Sequence, residues 1–247
     1  RDLRMSRGLG DVYKRQGVAI SNTPVGPYTF IRSGRINPGV YPMNMTLEER
    51  KLTWNPNEYE WWTPEWREAI NKGMFVKRDL ESGQMSRDMT LFVDEDGKAY
   101  HIYSSEENLT LQIAELSDDY LSHTGKYIRI FPGGHNEAPA IFKKDETYWM
   151  VASGCTGWKP NEARLMTASS ILGEWSQLPN PCVGKNAKIT FGGQSTYILP
   201  LKEGGYMFMA DMWHPSSLKD SRYIWLPIRF EGEQPVIEWL DEWGIEN

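Results

Sequence analysis

The sequence predicts an all-β fold, a β-propeller, on three observations. Hairpin signals recur along the chain at an even spacing. Each hairpin opens on a polar residue. Aromatic residues are abundant, with 11 Trp and 12 Tyr among 247 residues. The spacing of roughly 50 residues is that of propeller blades. A propeller arranges small sheets around a channel and leaves only short edges unpaired.

The hairpins follow in order. Met89–Val93, a turn over Asp94–Gly97 and Lys98–Tyr103 make the first. Ala138–Phe142, a turn around Asp145-Glu146 and Tyr148–Val151 make the second. Ser195–Leu199, a turn at Glu203-Gly204-Gly205 and Tyr206–Met209 make the third. Apolar runs around Gly- and Asp-bearing turns are hairpin signals. Two further strands follow each hairpin, as in Leu165–Ser170 running to Gly173-Glu174-Trp175, and more loosely in Ile113–Asp119. Val18–Thr23 running to Gly26-Pro27-Tyr28 repeats that second half without a hairpin before it. Three nearly whole blades and the end of an earlier one are therefore expected.

An insertion, residues 37–83, breaks the period. Pro64–Gly73 within it reads as a short helix, with Pro at its start and Gly at its end. Trp54, Trp61, Trp62 and Trp66 lie in or beside it; they form either the insertion's own core or a wall on which sugars stack. Arg1–Gln16 is basic and lacks the apolar centre of a signal peptide. It is expected to be a non-native or disordered segment, with 17–247 the propeller domain.

Charge and composition narrow the function. A formal net charge of −6 argues against nucleic acid and anionic membrane surfaces. No apolar run approaches the roughly 18 residues that span a bilayer. Cys155 and Cys182 are too few for a disulfide scaffold, and whether they pair stays open. The four histidines show no metal-ligand spacing, and no metal or other cofactor is expected.

Asp88, Glu137 and Gln194 each precede the first strand of a hairpin. In a propeller that strand lines the channel, so equivalent residues converge at one end. Glycoside hydrolysis needs such a set: one carboxyl to protonate the departing oxygen and a second group to handle water. Glu137, beside an apolar strand, suits the acid. Asp88, next to Arg87, can stay ionised and hold the Glu137 proton in place. Gln194 can hold a water or a sugar hydroxyl. Arg87, Asn108, Thr156 and Trp158 are candidate substrate contacts. Asn108 serves equally as a turn residue, Trp158 equally as core, and Trp213 reads as core.

At these residues the sequence resembles glycoside hydrolase family 43. The likeness rests on Ser86-Arg87-Asp88-Met89, Glu137-Ala138-Pro139-Ala140, Gly154–Trp158, Gly173-Glu174-Trp175 and Gln194–Tyr197, in that order. The resemblance implies five blades, with the first and part of the second absent here, and an inverting reaction. It also implies Asp88 as the pKa-tuning Asp and Glu137 as the general acid. Thr156-Gly157-Trp158 and Gln194-Ser195-Thr196 look most like the branch of exo-β-1,3-galactanases and β-galactosidases. In that branch Gln194 is implied to assist the water. A plant-type oligo- or polysaccharide is the expected partner, in the periplasm or outside the cell. A β-xylosidase or α-L-arabinofuranosidase, and a non-catalytic glycan-binding propeller, are the alternatives.

Overall fold

The computed structural model describes residues 15–244. The expectation for residues 1–16 lies almost wholly outside them; Gln16 already opens the first strand. The chain divides into two compact units. One runs to Met89 and resumes over Glu95–Gly133; the other takes Thr90–Asp94 and everything from Gly134.

The first unit opens with an antiparallel hairpin, β1 (Gln16–Ile20) and β2 (Thr29–Gly34). The helical insertion follows, as α1 (Leu47–Lys51), α2 (Pro64–Asn71) and α3 (Met74–Arg78). The α2 helix starts where Thr63 Oγ1 accepts from the Trp66 amide and Pro64 spends no amide. It ends at Gly73, whose φ of 91° suits glycine and where a Cβ would meet Met45 Cε at 2.5 Å. Trp66, Ala69, Ile70, Met74, Phe75 and Leu109 pack into one buried cluster. Each large side chain buried there contributes roughly 1.5–3 kcal/mol.

Arg129 ties the insertion to the sheet. Its guanidinium pairs with the fully buried Glu106 carboxylate through two 2.7 Å bonds. It also donates to the Ile70 and Asn71 carbonyls at the end of α2. Strands β3 (Met89–Val93), β4 (Ala99–Ser105), β5 (Thr110–Leu116) and β6 (His123–Ile130) form a four-stranded sheet in sequence order.

The second unit holds two sheets. Strands β7 (Glu137–Lys144), β8 (Thr147–Ser153), β9 (Arg164–Ala168) and β10 (Ser176–Leu178) run in the order β10-β9-β8-β7. Strands β11 (Cys182–Val183), β12 (Gln194–Pro200), β13 (Tyr206–Met212), β14 (Arg222–Glu231) and β15 (Gln234–Glu238) run in the order β11-β15-β14-β13-β12. All pairs are antiparallel except β11 with β15.

The alternation expected of half-buried strands is visible in β14. Ile224, Leu226 and Ile228 are buried while Tyr223 and Trp225 are exposed. The inward residues join Phe142, Trp149, Leu165, Ile198 and Phe208 in one core. Strand β12 packs beside β7 within it. Each predicted hairpin and the predicted helix form. The short β11 and the helices α1 and α3 went unpredicted, while β14 and β15 are the two strands expected after the third hairpin, whose residues the sequence reading did not name.

Candidate active site

Glu137 is the first residue of β7 and lies opposite Ser153, the last of β8. A register shift between Glu137 and Ala140 marks a bulge, and Ala138 inside it has a φ of 52°. A bulge re-aims the side chains beside it. Here the bulge lies beside Glu137. The turn before Glu137 is clamped from beneath. Arg164 Nη1 donates to the Gly134 and His135 carbonyls at 2.5 and 2.9 Å and to Asn136 Oδ1 at 2.8 Å.

Gln194 opens β12 in the same unit. Its Nε2 donates to Ser153 Oγ at 2.8 Å, and the next residue, Ser195, donates from Oγ to the Ala138 carbonyl at 2.6 Å. Two buried hydroxyls therefore strap the strand of Gln194 to the strand pair of Glu137. Gly193 allows this approach, because a Cβ there would meet Ile224 Cδ1 at 2.7 Å.

Gln194 and Ser153 line a pocket with Gly157, Trp158, Asn161, Gly193 and Trp213. Trp158 and Trp213 form its aromatic rim, edge to face with ring centres 5.3 Å apart. Both are exposed, at 59% and 41%. Trp213, read from sequence as core, is instead a pocket residue: it follows the end of β13, beyond the sheet that would cover it. Thr156 is committed to its own loop, donating from Oγ1 to the Lys159 carbonyl at 2.6 Å and accepting from Asn161 Nδ2 at 2.7 Å. Asn161 also closes that loop on the Gly154 backbone.

Asp211 is a residue that sequence reasoning missed. It faces Gln194 in the β12–β13 register, and burial raises its carboxyl above the usual carboxylate range. The signal was there, as a lone carboxylate ending the apolar run Tyr206–Ala210.

Asp88, Arg87 and Asn108 belong to the first unit. Asp88 is exposed at the entry to β3, its backbone carbonyl accepting from the Ser104 amide at 2.9 Å. Arg87 donates to Glu107 Oε2 at 2.9 Å, and Glu107 in turn meets Arg78. Asn108 is the third of three consecutive left-handed residues, after Glu106 and Glu107. Asn tolerates that conformation better than most residues.

Among the described residues no group of three or more His, Cys, Asp or Glu is placed to hold a metal ion. Cys155 and Cys182 are not joined by a disulfide, and burial pushes the Cys182 thiol up to about 12.

Residues 53–213 match the profile of the glycosyl hydrolases family 43. A solved β-1,3-galactosidase of that family, bound to galactodeoxynojirimycin, is 74% identical with a TM-score of 0.93, covering 96% of this chain and 69% of its own. The chain belongs to glycoside hydrolase family 43. Within the family it is also similar to an exo-β-1,3-galactanase from Clostridium thermocellum. Identity there is 31% and the TM-score 0.68, over 92% of this chain and 42% of that one. A β-D-galactofuranosidase of Aspergillus niger is 28% identical over 129 residues, which is 47% of this chain and 37% of the fungal protein. The chain thus spans well under half of the curated relative it matches.

Proposed function

We propose that this chain belongs to an inverting, exo-acting glycoside hydrolase that removes β-linked galactose from an oligo- or polysaccharide. The observation that carries the reading is the 74% identical relative over 96% of the chain, a β-1,3-galactosidase solved with galactodeoxynojirimycin. The three larger sheets are then blades of a five-bladed propeller that residues 17–247 build in part.

In the reaction, water oxygen bonds to the anomeric carbon as the glycosidic carbon–oxygen bond breaks. The leaving oxygen takes the proton of Glu137. The water gives one proton to bulk solvent while a hydrogen bond to Gln194 fixes its position, and solvent later restores the proton on Glu137. The family likeness gives Asp88 the role of tuning the acid. Trp158 and Trp213 supply apolar faces for a sugar ring.

Galactose release from β-1,3-galactan by Glu137→Gln tests the acid, with a loss of about 10²–10⁴ in kcat expected. The loss should be smaller on nitrophenyl β-galactoside, whose good leaving group needs little protonation. Unchanged activity on galactan would overturn the assignment. The Aspergillus relative favours one second reading, a galactofuranose substrate. Faster hydrolysis of nitrophenyl β-galactofuranoside than of the pyranoside would select it.

A further inference from the structure

Glutamine is an ambiguous partner for a water. Its amide carries two donors on one branch and an acceptor on the other. A half-turn about the last bond exchanges them. Only the oxygen can accept from a water whose oxygen must attack carbon, so a catalytic glutamine needs something to select one orientation.

Ser153 favours one of the two orientations when its Oγ serves as the acceptor. Its Oγ accepts from Gln194 Nε2 at 2.8 Å. The amide plane then carries Oε1 on the branch away from Ser153. Ser153 is only 4% exposed. It is also the cross-strand neighbour of Glu137, and one residue therefore touches the strand of the acid and the amide of the water-holder. Ser195 Oγ on the Ala138 carbonyl prevents the two strands from sliding apart.

We propose that Ser153 is a positioning residue that holds the Gln194 amide with its oxygen toward the attacking water. The inference rests on the reading of Gln194 given above. Ser153 exchanges no proton with substrate. Its contribution is orientation, which is lost with the hydroxyl and not with the fold.

The test compares Ser153→Ala in two backgrounds, wild type and Gln194→Glu, with galactose release from β-1,3-galactan oligosaccharides as readout. In wild type, kcat is expected to fall about tenfold with KM changed by less than about twofold. With Glu at position 194 both oxygens are equivalent acceptors, so Ser153→Ala is expected to change kcat by less than about twofold. Ser153→Thr, which keeps the hydroxyl, should return most of the lost rate. Equal losses in the two backgrounds would mean a structural role and overturn the proposal. So would a wild-type rate in Ser153→Ala.

A second readout does not need turnover. The Gln194 side-chain amide signal, assigned by its absence in Gln194→Glu, should exchange with solvent faster in Ser153→Ala. Unchanged exchange would overturn the orientation argument by itself. Full activity of Glu137→Gln or Gln194→Ala would instead sink the underlying mechanism and leave that exchange result standing.

Discussion

His101 and His123 share no metal-ligand spacing in the sequence, yet Nδ1 of one lies 3.1 Å from Nε2 of the other. Burial, and for His101 the neighbouring imidazole, lowers their pKa values to about 3 and about 4, against about 6.5 in an unfolded chain. The folded pair stays neutral where the unfolded pair takes up protons. Its contribution to stability is whole above roughly pH 6.5 and is lost as pH falls toward the folded values. Each imidazole adds a slope of about 1.4 kcal/mol per pH unit over that window. Urea unfolding from pH 7 to 4.5 should show a steep loss in wild type and a shallower one in His101→Phe/His123→Leu. Equal slopes would refute it. Glu137, Gln194 and Trp158 were singled out as candidates by repeat position and motif. Ser153 was not, because it meets Gln194 only through a contact between strands, and Asp211 offered only a lone carboxylate at the end of its apolar run.

At the scale of elements, a buried ion pair helps to hold the insertion. Glu106 and Arg129 are 0% and 7% exposed, and Arg129 also satisfies two carbonyls at the end of α2. Removing one partner of such a pair costs about 3–5 kcal/mol, because the other is left charged and buried. Arg129→Leu should therefore lower stability by about that amount, read as a shift in the urea midpoint. Arg129→Leu/Glu106→Leu should recover only part, since the Ile70 and Asn71 carbonyls stay unsatisfied. A double variant worse than the single would overturn this account. The helix itself was legible from Pro64 and Gly73. Its anchor was not, since Arg129 is 58 residues from Asn71. Of the tryptophans in the insertion, Trp66 is core, while Trp61 and Trp62 remain 46% and 56% exposed.

For the whole molecule, the consequence lies on the last sheet. Tyr197, Met209 and Trp225 lie side by side across β12, β13 and β14, with Leu199 and Tyr223 in neighbouring rows. Tyr197, Leu199, Tyr223 and Trp225 are 42%, 38%, 75% and 54% exposed. A contiguous aromatic face of this kind promotes association. This chain should self-associate in light scattering as its concentration rises, and Tyr223→Lys/Trp225→Lys should reduce the effect. A sharp monomer at every concentration would refute it.

What the sequence determined by itself was local and periodic. Alternation and turn residues marked the hairpins, Pro and Gly bounded the helix, and a recurring polar position singled out Asp88, Glu137 and Gln194. These signals are written in neighbouring residues, where backbone sterics and side-chain period act directly. The family likeness added the chemistry. Tertiary structure alone decided which hydroxyl holds the Gln194 amide, that Trp213 joins Trp158 at a pocket rim, and that two histidines meet in a partly buried pair. Those outcomes depend on strand register and on where the loops leave the strands. A shift of one residue would send Ser153, Gln194 or His101 to the opposite face of its sheet.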